Sequence, residues 1–169
     1  MATLEFLQNL SEHHGGDIAL DDGETAVTYS ELVTAANALA VALQNKDPVP
    51  GSRVALCAAT SLEYLVTVLA VQAAGKILVP LNVHDTPQKL YDILLKTLPS
   101  TIIVDAVGEQ QIQCDDDLKI TFAQFEGLVR TYFGEKPESV DATQIVTALP
   151  QPLVTQEDES AGLPPGGAA

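Results

Sequence analysis

Residues 53–105 carry the pattern that most constrains this chain. Short, nearly all-apolar runs alternate with segments of helical periodicity in the order strand, helix, strand, helix, strand. The strand candidates are Arg53-Val54-Ala55-Leu56-Cys57-Ala58, Ile77-Leu78-Val79-Pro80-Leu81 and Thr101-Ile102-Ile103-Val104-Asp105. Runs that are apolar at almost every position suit parallel strands covered on both faces. Two helical crossovers between three strands impose a parallel sheet with right-handed connections. The expected fold class is α/β, a parallel sheet with helices on both faces.

The crossovers carry their own signals. Thr60-Ser61-Leu62-Glu63 reads as a capping box opening a helix that runs to about Gly75, a natural C-cap. Asp85-Thr86-Pro87 places a capping residue before a proline at the first helical position, and Leu90, Ile93, Leu94 and Leu98 mark the predicted buried face. Upstream, Leu4-Glu5-Phe6-Leu7-Gln8-Asn9-Leu10 predicts an amphipathic N-terminal helix ending near His13-His14-Gly15-Gly16. Ile18-Ala19-Leu20 and Ala26-Val27-Thr28-Tyr29 then flank Asp21-Asp22-Gly23-Glu24, a hairpin pattern. Thr28 and Glu31 form a further capping box. Leu32, Ala35, Ala36, Leu39, Ala40 and Leu43 form the apolar stripe of that helix, which stops before Asp47-Pro48-Val49-Pro50-Gly51.

Beyond Asp105 the pattern weakens. One or two short edge strands are expected within 112–120, and Thr121-Phe122-Ala123-Gln124 can cap a helix through Phe125, Leu128, Val129 and Tyr132. Residues 1–149 are expected to form the α/β domain. Residues 150–169 form an acidic, Pro/Gly-rich tail with little to bury, expected to be poorly ordered.

Composition excludes several functions. The chain has 169 residues, 46% of them hydrophobic, enough for a core and against wholesale disorder. It has 8 basic and 23 acidic residues and a formal net charge of -15. Single, scattered cations cannot form a phosphate-binding stripe, so no nucleic-acid partner is expected. An anionic membrane surface is disfavoured for the same reason. The most apolar stretch, 65–81, is broken by Thr67, Gln72, Gly75, Lys76 and Pro80, so no membrane span is expected. Met1-Ala2-Thr3-Leu4-Glu5 lacks the basic start of a signal peptide, and the expected location is cytoplasmic.

No catalytic, cofactor-binding or metal-ligating constellation is visible. Cys57 and Cys114 have no metal-ligand spacing, and Cys57 reads as a small buried hydrophobe. His13 and His14 are adjacent and would diverge on a helix or a strand. His84 is the most suggestive histidine, because ligands of open α/β sheets bind at the carboxyl ends of strands. Asp115-Asp116-Asp117 lacks the alternation of a calcium loop and reads as a solvated turn. Ser30 and Ser61 have no neighbouring base and read as helix first-turn residues. Neither Gly-x-Gly-x-x-Gly nor Gly-x-x-x-x-Gly-Lys-Ser/Thr occurs.

Several segments in fixed order nevertheless resemble one family. They are Ile18-Ala19-Leu20; Val27-Thr28-Tyr29-Ser30-Glu31-Leu32 with Ala36-Asn37-Ala38-Leu39-Ala40; Pro50-Gly51-Ser52-Arg53-Val54-Ala55-Leu56; Ser61-Leu62-Glu63-Tyr64; and Ala74-Gly75-Lys76-Ile77-Leu78-Val79-Pro80-Leu81-Asn82. Over residues 17–105 the chain resembles the N-terminal part of the adenylate-forming (AMP-binding) superfamily, acyl-CoA and aryl-CoA ligase type. The resemblance implies ATP, Mg²⁺ and coenzyme A for the full-length family, and an acyl-adenylate intermediate. It rests on structural pieces. The family's phosphate loop, nucleotide site and C-terminal lysine have no matching positions. Gly162-Leu163-Pro164-Pro165-Gly166 is similar to the end of that loop with Pro165 in place of lysine, or it belongs to an unrelated low-complexity end. Glu157, Asp158 and Glu159 before it would repel phosphate.

Three functions follow from these readings. The first is a truncated product or fragment of an adenylate-forming ligase, inactive alone and needing no cofactor by itself. The second is a free-standing interaction or regulatory module derived from that fold. It would meet a protein partner, or associate with itself, through exposed apolar surface. The third is an unrelated small α/β protein binding a ligand near Asn82 and His84.

Overall fold

The computed structural model describes residues 2–140 apart from 22 and 25. The predicted start is observed: helix α1 (Ala2–His14) is followed by an antiparallel hairpin of β1 (Ile18–Asp21) and β2 (Ala26–Thr28). Helix α2 (Tyr29–Lys46) begins at the expected capping box: Thr28 Oγ1 accepts from the Glu31 N–H, and the Glu31 carboxylate accepts from the Thr28 N–H at 2.8 Å.

Then β3 (Arg53–Cys57), α3 (Leu62–Ala73), β4 (Ile77–Leu81), α4 (Pro87–Thr97) and β5 (Thr101–Val104) alternate as the sequence predicts. Helix α5 (Ala106–Gln111), strand β6 (Lys119–Thr121) and helix α6 (Phe125–Thr131) complete the described fold. The sheet is parallel throughout, in the order β4-β3-β5-β6. Pro80 lies on β4, an edge strand, where a missing N–H costs no ladder bond.

The two-residue period of the strands divides the core. Val54, Leu56, Ile103 and Ile120 face one side, packed with Leu39, Leu43, Val66 and Phe125 of α2, α3 and α6. Ala55, Cys57, Leu81, Ile102 and Val104 face the other side, covered by Leu90 of α4 and by Ile112. Helices thus lie on both faces, and α1 adds a further layer through the buried Leu7.

Several local expectations are corrected. The cap of α3 is Ser61, whose Oγ accepts from the Tyr64 N–H at 3.2 Å, and with Tyr64 at the third helical position the box read over Thr60 and Glu63 does not form. The Ala59 N–H is tied to Asp105, and the chain enters the helix later than the pattern alone suggests. Leu98 does not belong to the buried face of α4. It follows the last turn with φ 47° and is 74% exposed. The buried surface of α2 exceeds the predicted stripe and includes Val33, Asn37, Ala38, Val41 and Ala42. The excess arises because α1, α3 and α6 all pack on α2.

The six-residue helix α5 was not anticipated; Asp105 caps it. The expected edge strand is β6, and the Thr121–Gln124 box is present, opening on a 3₁₀ turn before α6. The boundary at 149, the tail 150–169 and the Gly162–Gly166 stretch lie outside the described residues.

Candidate functional site

In a sheet ordered β4-β3-β5-β6, the connections leave β3 and β5 in opposite directions. The carboxyl ends of those two strands are therefore where an open α/β sheet offers a ligand crevice. In this chain the crevice is filled by its own residues. Asp105 Oδ2 accepts from the Ala59 N–H at 2.9 Å, and Oδ1 accepts from the Gly108 N–H at 2.7 Å. A Cβ on Gly108 would stand 2.1 Å from the Cys57 carbonyl oxygen, so only glycine lets α5 approach β3 this closely.

A triphosphate needs free N–H donors and cations at such a point. Here a carboxylate already takes two of the N–H groups. Six of the eight cations are engaged elsewhere by the protein, among them Lys89 with Asp85 and Arg130 with Glu126. The Lys46 ammonium donates to the Asp117 carbonyl, Arg53 Nη1 donates to the Thr97 carbonyl at 3.0 Å, and Lys119 pairs with Glu109 at 2.9 Å. Lys76, 6% exposed, donates to the carbonyls of Asp47 and Val49 and to Ser52 Oγ. Burial holds its pKa below the usual lysine value, against the opposing pull of Asp47.

The residues singled out from sequence are not brought together. Asn82 and His84 are exposed, and Asn82 Oδ1 accepts from the His84 N–H at 2.8 Å, an Asx turn leading toward α4. Asp85 pairs with Lys89 at 3.3 Å. His13 and His14 end α1, where His14 Nδ1 lies 3.1 Å from Asp17 Oδ2. Asp115, Asp116 and Asp117 form a turn, and Asp116 lies 3.4 Å from Lys119. Among the described residues, no group of three His, Cys, Asp or Glu side chains is placed to hold a metal ion. No helix there is long and apolar enough to cross a membrane.

Cys57 is fully buried, and its thiol is pushed up to about 11, first by burial and then by Asp105 and Asp85. Burial also raises Cys114. Neither thiol is a nucleophile near neutrality, because the thiolate is the reactive form.

Sequence reasoning missed a second place. The 134–140 strap crosses the structure beside α2, with Pro137 and Val140 buried. Two clefts border it, of about 520 Å³ beside Gln44, Pro48 and Val140 and about 260 Å³ beside Gln8, Asn37 and Pro137. Asn37 was visible only as one polar residue in an alanine-rich helix.

The sequence model described as "AMP-binding enzyme" matches residues 7–162. The chain is 38% identical over 95 residues to Protein Y of Streptomyces griseus, covering 56% of this chain and 31% of that protein. It is 34% identical over 112 residues to malpinin synthetase of Mortierella alpina, covering 66% of this chain and 1% of the synthetase. A benzoate CoA ligase from Burkholderia xenovorans shares the fold with a TM-score of 0.70 at 22% identity, over 83% of this chain and 30% of that one. The chain thus spans less than a third of each of these proteins.

Proposed function

The chain belongs to the AMP-binding enzyme family, and on that premise we propose that it is the scaffold portion of an ATP-dependent acid–thiol ligase, catalytically inactive by itself. Such a ligase activates a carboxylic acid as an acyl-adenylate and passes the acyl group to coenzyme A or a carrier thiol. The portion described here supplies the central sheet and its helical cover. ATP, Mg²⁺ and coenzyme A belong to the complete machinery.

One observation carries this reading. The crevice at the β3 and β5 ends is bridged by Asp105, which occupies the N–H groups of Ala59 and Gly108 that a phosphate would need. ATP–pyrophosphate exchange with a panel of aliphatic and aromatic carboxylic acids tests it. The 169-residue chain is expected to give no exchange above background. Turnover with any acid would overturn the reading.

A second reading, an interaction module, is favoured by the outer face of α4. Tyr91 and Leu95 are 55% and 54% exposed one turn apart, and Leu98 just beyond the helix is 74% exposed. Apolar surface of this kind marks an interface, and its proposed cover is the remainder of a ligase. Size-exclusion chromatography with a hydrophobic dye tests this face. Dye binding that falls in Leu95→Glu supports it, and a monomer that binds no dye counts against it.

A further inference from the structure

After α6 the chain turns and lays residues 134–140 along α2. Val33 and Asn37 border the strap in the smaller cleft, and Val41 and Gln44 border it in the larger one. These four recur at helical spacing on one face of α2. From Val33 to Gln44 the helix rises about 16 Å, and the extended strap reaches about 20 Å, so it can follow the whole stripe.

The strap is held locally. Glu138 exchanges two hydrogen bonds with the Gln44 amide. Pro137 and Val140 are buried, and Val140 lies against Gly75, whereas Glu135, Lys136, Glu138 and Ser139 are exposed. The clefts of about 520 and 260 Å³ that border the strap show that its groove is incompletely filled. At its near end stands Gly134, exposed, with φ 79° and nothing within 4 Å of an added Cβ. Glycine moves between backbone regions that a Cβ closes to other residues. A segment held by few contacts beyond such a hinge can leave its groove without unfolding the core.

What can replace the strap is set by what holds it. The groove takes an extended piece with a buried proline, a buried valine three residues on, and a backbone N–H and C=O between them for Gln44. A second copy of this chain carries that piece with identical contacts, so a reciprocal exchange loses none of them. The two hinges of such an exchange come together beside its twofold axis. Phe133, next to Gly134, is 73% exposed in the closed chain and gains burial there against its counterpart.

We propose that this chain forms a reciprocal dimer in which residues 134–140 of each copy lie on α2 of the other. Gly134 is the hinge, Gln44 the catch and Phe133 the new contact. The proposal does not depend on the reading of the chain as a ligase portion.

Complementation between two full-length variants tests it. Gln44→Ala disables the groove and keeps the strap, whereas Val140→Asp disables the strap and keeps the groove. Association is followed by light scattering in high salt, which screens the charge of -15 on each copy. The expected result is a wild-type dimer that grows with concentration and variants that each self-associate at least tenfold more weakly, as lost hydrogen bonds and apolar burial dictate. Their equimolar mixture recovers a heterodimer, because an intact strap meets an intact groove. Phe133→Ser weakens the wild-type dimer and leaves the melting of the dilute monomer unchanged. A reading that needs no variant is NMR of mixed nitrogen-labelled and carbon-labelled wild-type chains. There an intermolecular contact joins the Gln44 side-chain amide to Glu138.

A wild-type chain that stays monomeric at millimolar concentration would overturn the proposal. A dimer without the Gln44–Glu138 intermolecular contact would overturn it too, because the copies would then meet elsewhere, as at the α4 face. So would a mixture of folded variants that recovers no heterodimer.

Discussion

The side chain of Gln44 and the backbone of Glu138, 94 residues apart, bond each other twice. Gln44 Nε2 donates to the Glu138 carbonyl at 2.8 Å, and the Glu138 N–H donates to Gln44 Oε1 at 2.8 Å. The amide thus pairs with the strap as a neighbouring strand would, and Nε2 also reaches the Ala74 carbonyl at 3.2 Å. Gln44→Ala removes the pairing while α2 retains a good helix former. The expected cost is about 1–2 kcal/mol in urea unfolding. Hydrogen exchange localises the effect: the Glu138 amide loses protection, and the Leu56 amide in the central strand changes only with global stability.

Gly75 has φ 73°, and a Cβ there would lie 2.4 Å from Val140 Cβ. Gly75→Ala therefore meets both a left-handed backbone penalty and a clash with the end of the strap. The first alone costs about 1–2 kcal/mol. Gly127→Ala in α6 is the opposite case, since nothing lies within 4 Å of the added methyl. It stabilises by roughly 0.5–1 kcal/mol through helix propensity. Thermal melting of the two variants separates the effects, with shifts of opposite sign.

Leu98 is the non-glycine residue with positive φ among the described residues, and its side chain packs little. Leu98→Gly relieves the left-handed strain at the end of α4 with little loss of apolar contact. A gain of roughly 1 kcal/mol is expected in denaturant midpoint experiments.

Cys57 makes stability fall on the alkaline side. Its pKa is about 11 folded against 9.0 for the free thiol, so above pH 9 the folded state holds a proton that the unfolded chain releases. The contribution is full below pH 9 and is lost as pH rises through 11, roughly 2–3 kcal/mol in all. Lys76 works in the opposite direction, because its folded pKa lies below 10.5 and stability rises as the buried ammonium is neutralised. The difference between the stability–pH profiles of the wild-type chain and Cys57→Ala isolates the thiol. In the folded chain, iodoacetamide labels Cys114 faster than Cys57, and unfolding removes the difference.

The element order, the parallel central sheet, the Thr28–Glu31 cap, the Thr86-Pro87 start of α4 and the glycine stop at Gly75 were legible in the residues, because each is set by neighbours a few positions away. The six-residue α5 was not, because its cap Asp105, besides the local bond from Gly108, is held by the Ala59 N–H at the end of a neighbouring strand 46 residues away. The same contact lies at the ends of β3 and β5, whereas His84, where the sequence suggested looking for a ligand, follows the edge strand β4.

Periodicity and local capping thus determined which segments become strands and helices and the family they resemble. Tertiary structure alone decided that the strand-end crevice is filled, that Lys76 is spent on a turn, and that the strap is tied to Gln44 beside the unpartnered Asn37. Local signals act over one or two turns of chain, whereas these bonds join residues separated by 24 to 94 positions, and only packing brings such residues within hydrogen-bond reach.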